Sequence, residues 1–284
     1  MRVGIQLYSV RNNMKEDPIK TIRQVIECGY RYLEVANHAA NEDPGVGFKV
    51  PVDELKKILS DTNSEIVSAH IYPLIPDIMG PILDYFSAIK TKYIVWPMDM
   101  FKGYDDAKQK AEAINKVGEM CKKCGMQLLY HNHFHEFQKF QGKTVLDILM
   151  DDTDPELMKL ELDTYWTLRA GISPVDVLKK YGKRVPLIHQ KDFPKGFDDK
   201  IDLLSQIKEN QSIDMDVFRN MVDEKTFTEI GTGIMDIQSI INVGNEVCGS
   251  EYIILEQDYT QMPSEIDSIK KSMESFKHFS NIEW

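Results

Sequence analysis

The chain has 284 residues, 42% of them apolar, and its 45 acidic residues outnumber 34 basic ones to leave a net charge of −11. That length suits one large α/β barrel of about 250 residues, and the acidic balance argues against nucleic-acid phosphates and anionic membranes as partners. The start, MRVGIQLYSV, lacks the apolar core of a secretory signal, no stretch approaches the roughly 20 apolar residues of a membrane span, and Cys28, Cys121, Cys124 and Cys248 make no disulfide framework, so a cytoplasmic location is expected.

The first strand is expected at Val3–Tyr8. Asp17-Pro18 then gives an N-cap followed by proline at the first helical position, opening a helix, IKTIRQVIEC, that stops at Gly29. Strand Tyr32–Val35 carries Glu34; the loop Ala36–Val50 follows, and Pro51 opens a helix through Ser60. Strands are next expected at Ile66–His70, Tyr93–Trp96 and Gln127–His131, with helices at Pro81–Lys90, from about Asp105 to Cys124, and at Thr144–Met150. In Lys159–Trp166, written KLELDTYW, Leu160 and Leu162 alternate with Glu161 and Asp163. This is the period of a strand, stopping at Asp163 and running into an aromatic-rich loop. Ser173-Pro174 caps a helix through Tyr181 that Gly182 closes, and strand Val185–His189 follows. Lys191–Gly233 is expected to hold one or two short helices, and Asp236–Val247 another. Tyr252–Glu256 is the eighth strand and Pro263–Phe279 the closing helix.

Strands alternating with helices predict a parallel sheet. No linker-like stretch interrupts the series, so residues 1–284 read as a single domain. A doubly wound open sheet would carry a glycine-rich phosphate turn after strand one, but LYSVRNN has no glycine. The expected fold is therefore α/β, a (β/α)₈ TIM barrel.

Such barrels act at the C-terminal ends of their strands. Those ends offer Gln6, Tyr8, Glu34, His70, Trp96, the run Tyr130 to Glu136, Asp163, His189 with Lys191, and Glu256 with Asp258. Singly, each has a bland reading as a hydrogen-bonded histidine, a solvated acid or a core aromatic. Together, Glu136, Asp163, His189 and Glu256 come from four successive strand ends. Three carboxylates and an imidazole suit Mn²⁺, Mg²⁺, Co²⁺ or Zn²⁺. The competing reading is a set of unrelated ion pairs, for which few basic residues lie near. Lys191 is a candidate to orient substrate or stabilise an oxyanion, or to pair with Asp192 or Asp163. His131 and His133 are expected to bind sugar hydroxyls or orient Glu136, and Glu161 to be structural. Cys121 and Cys124 form a CxxC without the second pair a zinc site needs. Gly231-Thr232-Gly233 reads as a phosphate cradle or a flexible turn, with Arg11 and Arg169 the other anchors for a phosphate.

Several of these motifs, in order along the chain, resemble the sugar phosphate isomerase/epimerase family, the xylose isomerase-like TIM-barrel group. They are QLYSVR (6–11), SAH (68–70), YHNHFHEF (130–137), ELDTYW (161–166), HQKD (189–192), EIGTGIMD (229–236) and LEQD (255–258). The resemblance implies a divalent metal held by Glu136, Asp163, His189 and Glu256. The chain departs from the family at HNHFHEF, where many relatives read HNHDFEF. It departs again at Trp166, where ketose 3-epimerases carry a histidine. Endonuclease IV, a more distant relative, would need more histidines and a DNA-binding face.

The expected activity is isomerisation or epimerisation of a sugar or keto-sugar through a metal-stabilised enediolate. Glu136 and Glu256 would be the proton-transferring pair and Lys191 their helper. Tyr8, Trp96, Tyr130 and Trp166 would wall the sugar, and Gln6, Glu34, His70, His131, His133 and Lys191 would bind it. Elimination from the same enediolate, by a lyase or dehydratase, is the first alternative, and a non-catalytic sugar-binding barrel the second. Which sugar, whether it is phosphorylated, and whether the chain forms homo-oligomers stay open at this stage.

Overall fold

The computed structural model describes residues 1–207 and 211–284. Its strands are β1 (Arg2–Gln6), β2 (Tyr32–Asn37), β3 (Glu65–Ile71), β4 (Tyr93–Trp96), β5 (Gln127–His131), β6 (Met158–Asp163), β7 (Leu187–Gln190) and β8 (Tyr252–Leu255). Each pairs in parallel with the next, and β8 pairs with β1 to close the barrel. Helices cover the outside, so both faces of every strand are buried. Alternation assigns the faces. Val67, Tyr93, Val95, Leu129, Leu187, Tyr252 and Ile254 fill the barrel interior. Leu33, Ile94, Leu128, Leu160, Ile188 and Ile253 pack outward in the larger core with the helices. Among the described residues no helix is long and apolar enough to cross a membrane.

The expected elements are present, with shifted ends. β1 stops at Gln6 and turns through Leu7–Val10 into the helix Arg11–Glu16, so Tyr8 lies beyond the strand. The aromatic segment after β6 is a short helix, Thr164–Arg169, rather than a loop, because the Asp163 side chain accepts from the Trp166 backbone N–H and caps it. β7 begins at Leu187, after Pro186, which has no N–H to give the ladder. The helix after β3 runs Met79–Ala88, and the last helix, capped by Ser264, is Glu265–Phe276. The long segment after β7 holds one α-helix, Met215–Met221, and three 3₁₀ turns among the described residues.

A close approach at Gly4 sets the fit of β1. A Cβ there would lie 2.5 Å from Ile254 Cδ1 and 2.8 Å from the Tyr32 carbonyl oxygen. Overpacking of this kind costs about 1–3 kcal/mol. Gly4→Ala should therefore lower the urea midpoint with the slope unchanged.

Candidate active site at the C-terminal mouth of the barrel

Above the apolar interior, strand parity brings Gln6, Glu34, His70, His131, Glu161 and His189 inward, all buried. The register sets His131 opposite Glu161 and Asp163 opposite His189. Two residues past His189, Lys191 joins Asp163 and Glu256 in an upper tier. Burying so many ionisable groups is costly unless each is paired, and the pairing here is dense.

In the upper tier, Lys191 Nζ donates to Asp163 Oδ2 at 2.5 Å and also to Glu256 Oε2, with Asp258 Oδ2 4.0 Å away. Burial alone would push the ammonium's pKa down, but Asp163, Asp258 and Glu256 hold it well above the usual lysine value. Burial, with Glu256 and Asp163 adding to it against the pull of Lys191, pushes Asp258 up to about 7. The other oxygen of Asp163, Oδ1, accepts from Trp166 N at 2.7 Å, so one carboxylate caps a helix and faces the site.

In the lower tier, Glu34 Oε1 lies 2.6 Å from His189 Nε2, and Glu161 Oε2 lies 2.6 Å from His70 Nε2 and 3.2 Å from His131 Nδ1. Glu161 Oε1 is buried and has no hydrogen-bond partner among the described residues. His189 is held well above its ordinary pKa because Glu161 and Glu34 outweigh its burial. His131 is pushed well below by burial and by the facing His189 and His70.

Among the described residues, two sets of donor atoms lie close enough together to hold a cation. One is His131, Asp163, His189 and Glu256; the other is His70, His131, Glu161 and His189. Three of the four sequence-proposed ligands, Asp163, His189 and Glu256, thus meet. Glu136 belongs to neither set. It sits on the 3₁₀ turn His135–Phe137 past the end of β5, where its carboxylate accepts from Tyr130 Oη at 2.7 Å and His133 N at 2.8 Å. The fourth donor is instead His131, the last residue of β5.

The other residues expected to line a substrate fall into four groups. Gln6, Glu34 and His70 are buried below the upper tier and bonded to one another. Trp96 and Tyr130 lie in the outward core rather than the barrel interior, because their parity turns them to the helices. His133 and Trp166 do flank the mouth: their ring centroids are 5.4 Å apart, and Lys191 Nζ is 5.8 Å from the Trp166 ring. His133 Nδ1 and Trp166 Nε1 are both buried without a partner among the described residues. Phe218, from the helix after β7, packs 5.4 Å from His133 and 5.7 Å from Trp166, a contact no local motif announces. Tyr8 lines a rim cavity of about 390 Å³ with Arg11, Lys15, His38 and Phe48.

Two proposed phosphate anchors are already engaged. The Gly231–Gly233 turn does cradle an anion, but an internal one. Gly231 N, Gly233 N and Met235 N donate to the Asp192 carboxylate at 3.0, 2.9 and 3.2 Å. Arg169 is buried and donates to Tyr165 Oη and Thr226 Oγ1.

Comparison with known proteins follows the same lines. The family described as "Xylose isomerase-like TIM barrel" matches residues 22–279. An inosose dehydratase from Clostridium beijerinckii is 28% identical over 168 residues, 59% of this chain and 52% of that protein. The match spans about half the length of that curated relative. A sugar phosphate isomerase/epimerase from Parabacteroides distasonis superposes with a TM-score of 0.75 at 20% identity, covering 96% of this chain and 92% of that one. The IolI protein, whose crystal structure holds a zinc atom, gives a TM-score of 0.69 at 12% identity over 99% of this chain and 100% of that one.

Because the Lys191 ammonium bridges Asp163 and Glu256, its loss removes the cation that the two buried carboxylates share. In chelator-treated protein, Lys191→Met should lower the unfolding free energy by about 3 kcal/mol or more, measured by urea denaturation.

Proposed function

The chain belongs to the xylose isomerase-like TIM-barrel family, and from that premise we propose that it is a divalent-metal-dependent lyase. It would dehydrate a keto-polyol or keto-sugar by taking the proton α to the carbonyl and expelling the β-hydroxyl. The observation that carries the reading is the convergence of Asp163, Glu256, His189 and His131 donor atoms beside the Lys191 ammonium. The inosose dehydratase relatives favour elimination over the isomerase and epimerase chemistry expected from the motifs.

The donor set fits a divalent cation. His131 and His189 supply nitrogen, and Asp163 and Glu256 supply oxygen. A mixed set of two imidazoles and two carboxylates suits Zn²⁺ or Co²⁺ better than Mg²⁺ or Mn²⁺, in keeping with the zinc atom of the IolI structure. A bound divalent cation supplies Lewis-acid polarisation of a substrate carbonyl.

The chain's own residues do the rest. The Glu256 carboxylate, itself one of the four donors, takes the α-proton, and the Lys191 ammonium beside it protonates the departing hydroxide. His133 Nδ1 and Trp166 Nε1, two of the buried polar atoms without a partner among the described residues, meet substrate hydroxyls. Glu136 acts as a positioning residue, tying the loop after β5 to Tyr130 rather than meeting substrate. The rest of the substrate extends toward the rim cavity, whose Tyr8 ring lies 4.4 Å from the Arg11 guanidinium carbon. Isomerisation or epimerisation shares the first proton transfer, and the Parabacteroides structure favours it at the level of fold.

A screen of keto-polyols and keto-sugars in D₂O with Zn²⁺, Co²⁺ or Mn²⁺ separates the two. Loss of one water by mass spectrometry supports the lyase; deuterium incorporation without loss of water supports the isomerase or epimerase. On the substrate found, Glu256→Gln should slow turnover about 10²–10⁴-fold. His131→Ala should strip bound metal on dialysis while Glu136→Gln retains it, as read by elemental analysis.

A further inference from the structure

We infer that Glu34 and Glu161 are positioning residues that fix the two site histidines in opposite senses, so that His189 offers Nδ1 and His131 offers Nε2 to a divalent cation. The inference rests on the metal reading above and adds to it which atoms bind and what selects them.

The ring of His189 is gripped from below at Nε2, 2.6 Å from Glu34 Oε1, which leaves Nδ1 facing Glu256 Oε2 at 3.2 Å. His131 is gripped at the other nitrogen. Its Nδ1 lies 3.2 Å from Glu161 Oε2, and Nε2 faces Asp163 Oδ2 at 3.8 Å. In both rings, therefore, one nitrogen meets a lower carboxylate and the other meets an upper one.

Nothing in the imidazoles themselves chooses this arrangement, since either nitrogen can bind a metal. The lower carboxylates choose it, and they are themselves fixed. Gln6 Nε2 donates to Glu34 Oε1 at 2.8 Å and Ser68 Oγ to Glu34 Oε2 at 2.5 Å. These are the register neighbours of Glu34 on β1 and β3. His70 Nε2 lies 2.6 Å from Glu161 Oε2. The two site imidazoles also meet edge to face, with centroids 4.5 Å apart at 72°. A flip of one would break its own carboxylate contact and disturb the other. Two carboxylates in the barrel interior carry a large desolvation cost. Orienting metal-bound imidazoles and raising their basicity is a role that such outer carboxylates serve.

The test uses the full chain with ring-¹⁵N-labelled histidine, loaded with ¹¹³Cd²⁺. The expected spectrum shows one metal–nitrogen coupling at a histidine Nδ1 and one at an Nε2, lost respectively in His189→Gln and His131→Gln. In parallel, Glu34→Gln and Glu161→Gln should each weaken the Zn²⁺ Kd about 10–100-fold, with metal-free melting temperatures recorded so that a general loss of stability is seen separately. Coupling through Nε2 of both histidines, or Zn²⁺ affinities unchanged in both glutamine variants, overturns this inference and leaves the metal reading standing. Absence of any Cd²⁺ or Zn²⁺ binding by the wild-type chain overturns both.

Discussion

A lysine ammonium shared between two strand-end carboxylates is the constraint on which the mouth of this barrel depends. Asp163, Glu256 and Lys191 come from β6, the segment just past β8, and the segment just past β7. Their pairing pins three segments to one point. Isolated charges in such a place would be expelled or neutralised. Here each is compensated, and a second tier below repeats the device with imidazoles against Glu34 and Glu161. The polar groups are therefore fixed before any ligand arrives, which is the condition for electrostatic stabilisation without reorganisation.

Around that charged centre the walls are aromatic. Trp166 packs with Phe134, Phe218, Tyr165 and Phe227 within about 6 Å, at centroid distances of 5.9, 5.7, 5.1 and 5.9 Å. Position 166 thus presents an indole seated in a cluster of rings, a rigid apolar wall with a single N–H donor.

The barrel was legible because each strand keeps its period and most helices carry a cap or a stop at the sequence level, as at Asp17-Pro18, Ser173-Pro174 and Gly29. The site was legible only in part. KLELDTYW shows both Glu161 and Asp163 on one face, but nothing local says that the deeper carboxylate meets His70 from a strand three places away along the barrel. The run HNHFHE presents alternating histidines. Its strand ends at His131, so only the first keeps the inward direction, and the spacing does not say where a strand stops. Trp96 and Tyr130 have the chemistry of a sugar-stacking wall, but strand parity turns both outward. The pairing of Lys191 with Asp163 is legible as a cation near an acid, but its second partner, Glu256 just past β8, depends on closure of the barrel.

Asp192 closes the excursion that leaves β7. Its carboxylate is held by the backbone of Gly231, Gly233 and Met235, and its own backbone bridges to Thr228. The chain between these points leaves and returns at one knot beside Lys191, bringing Phe218 over His133 on the way. Both ties are made on Asp192, the residue next to Lys191, so the segment that carries Phe218 is anchored at the charged centre. The aromatic cover at Phe218 and the charged centre at Lys191 thus hang from the same short stretch, Lys191–Asp192, just past β7.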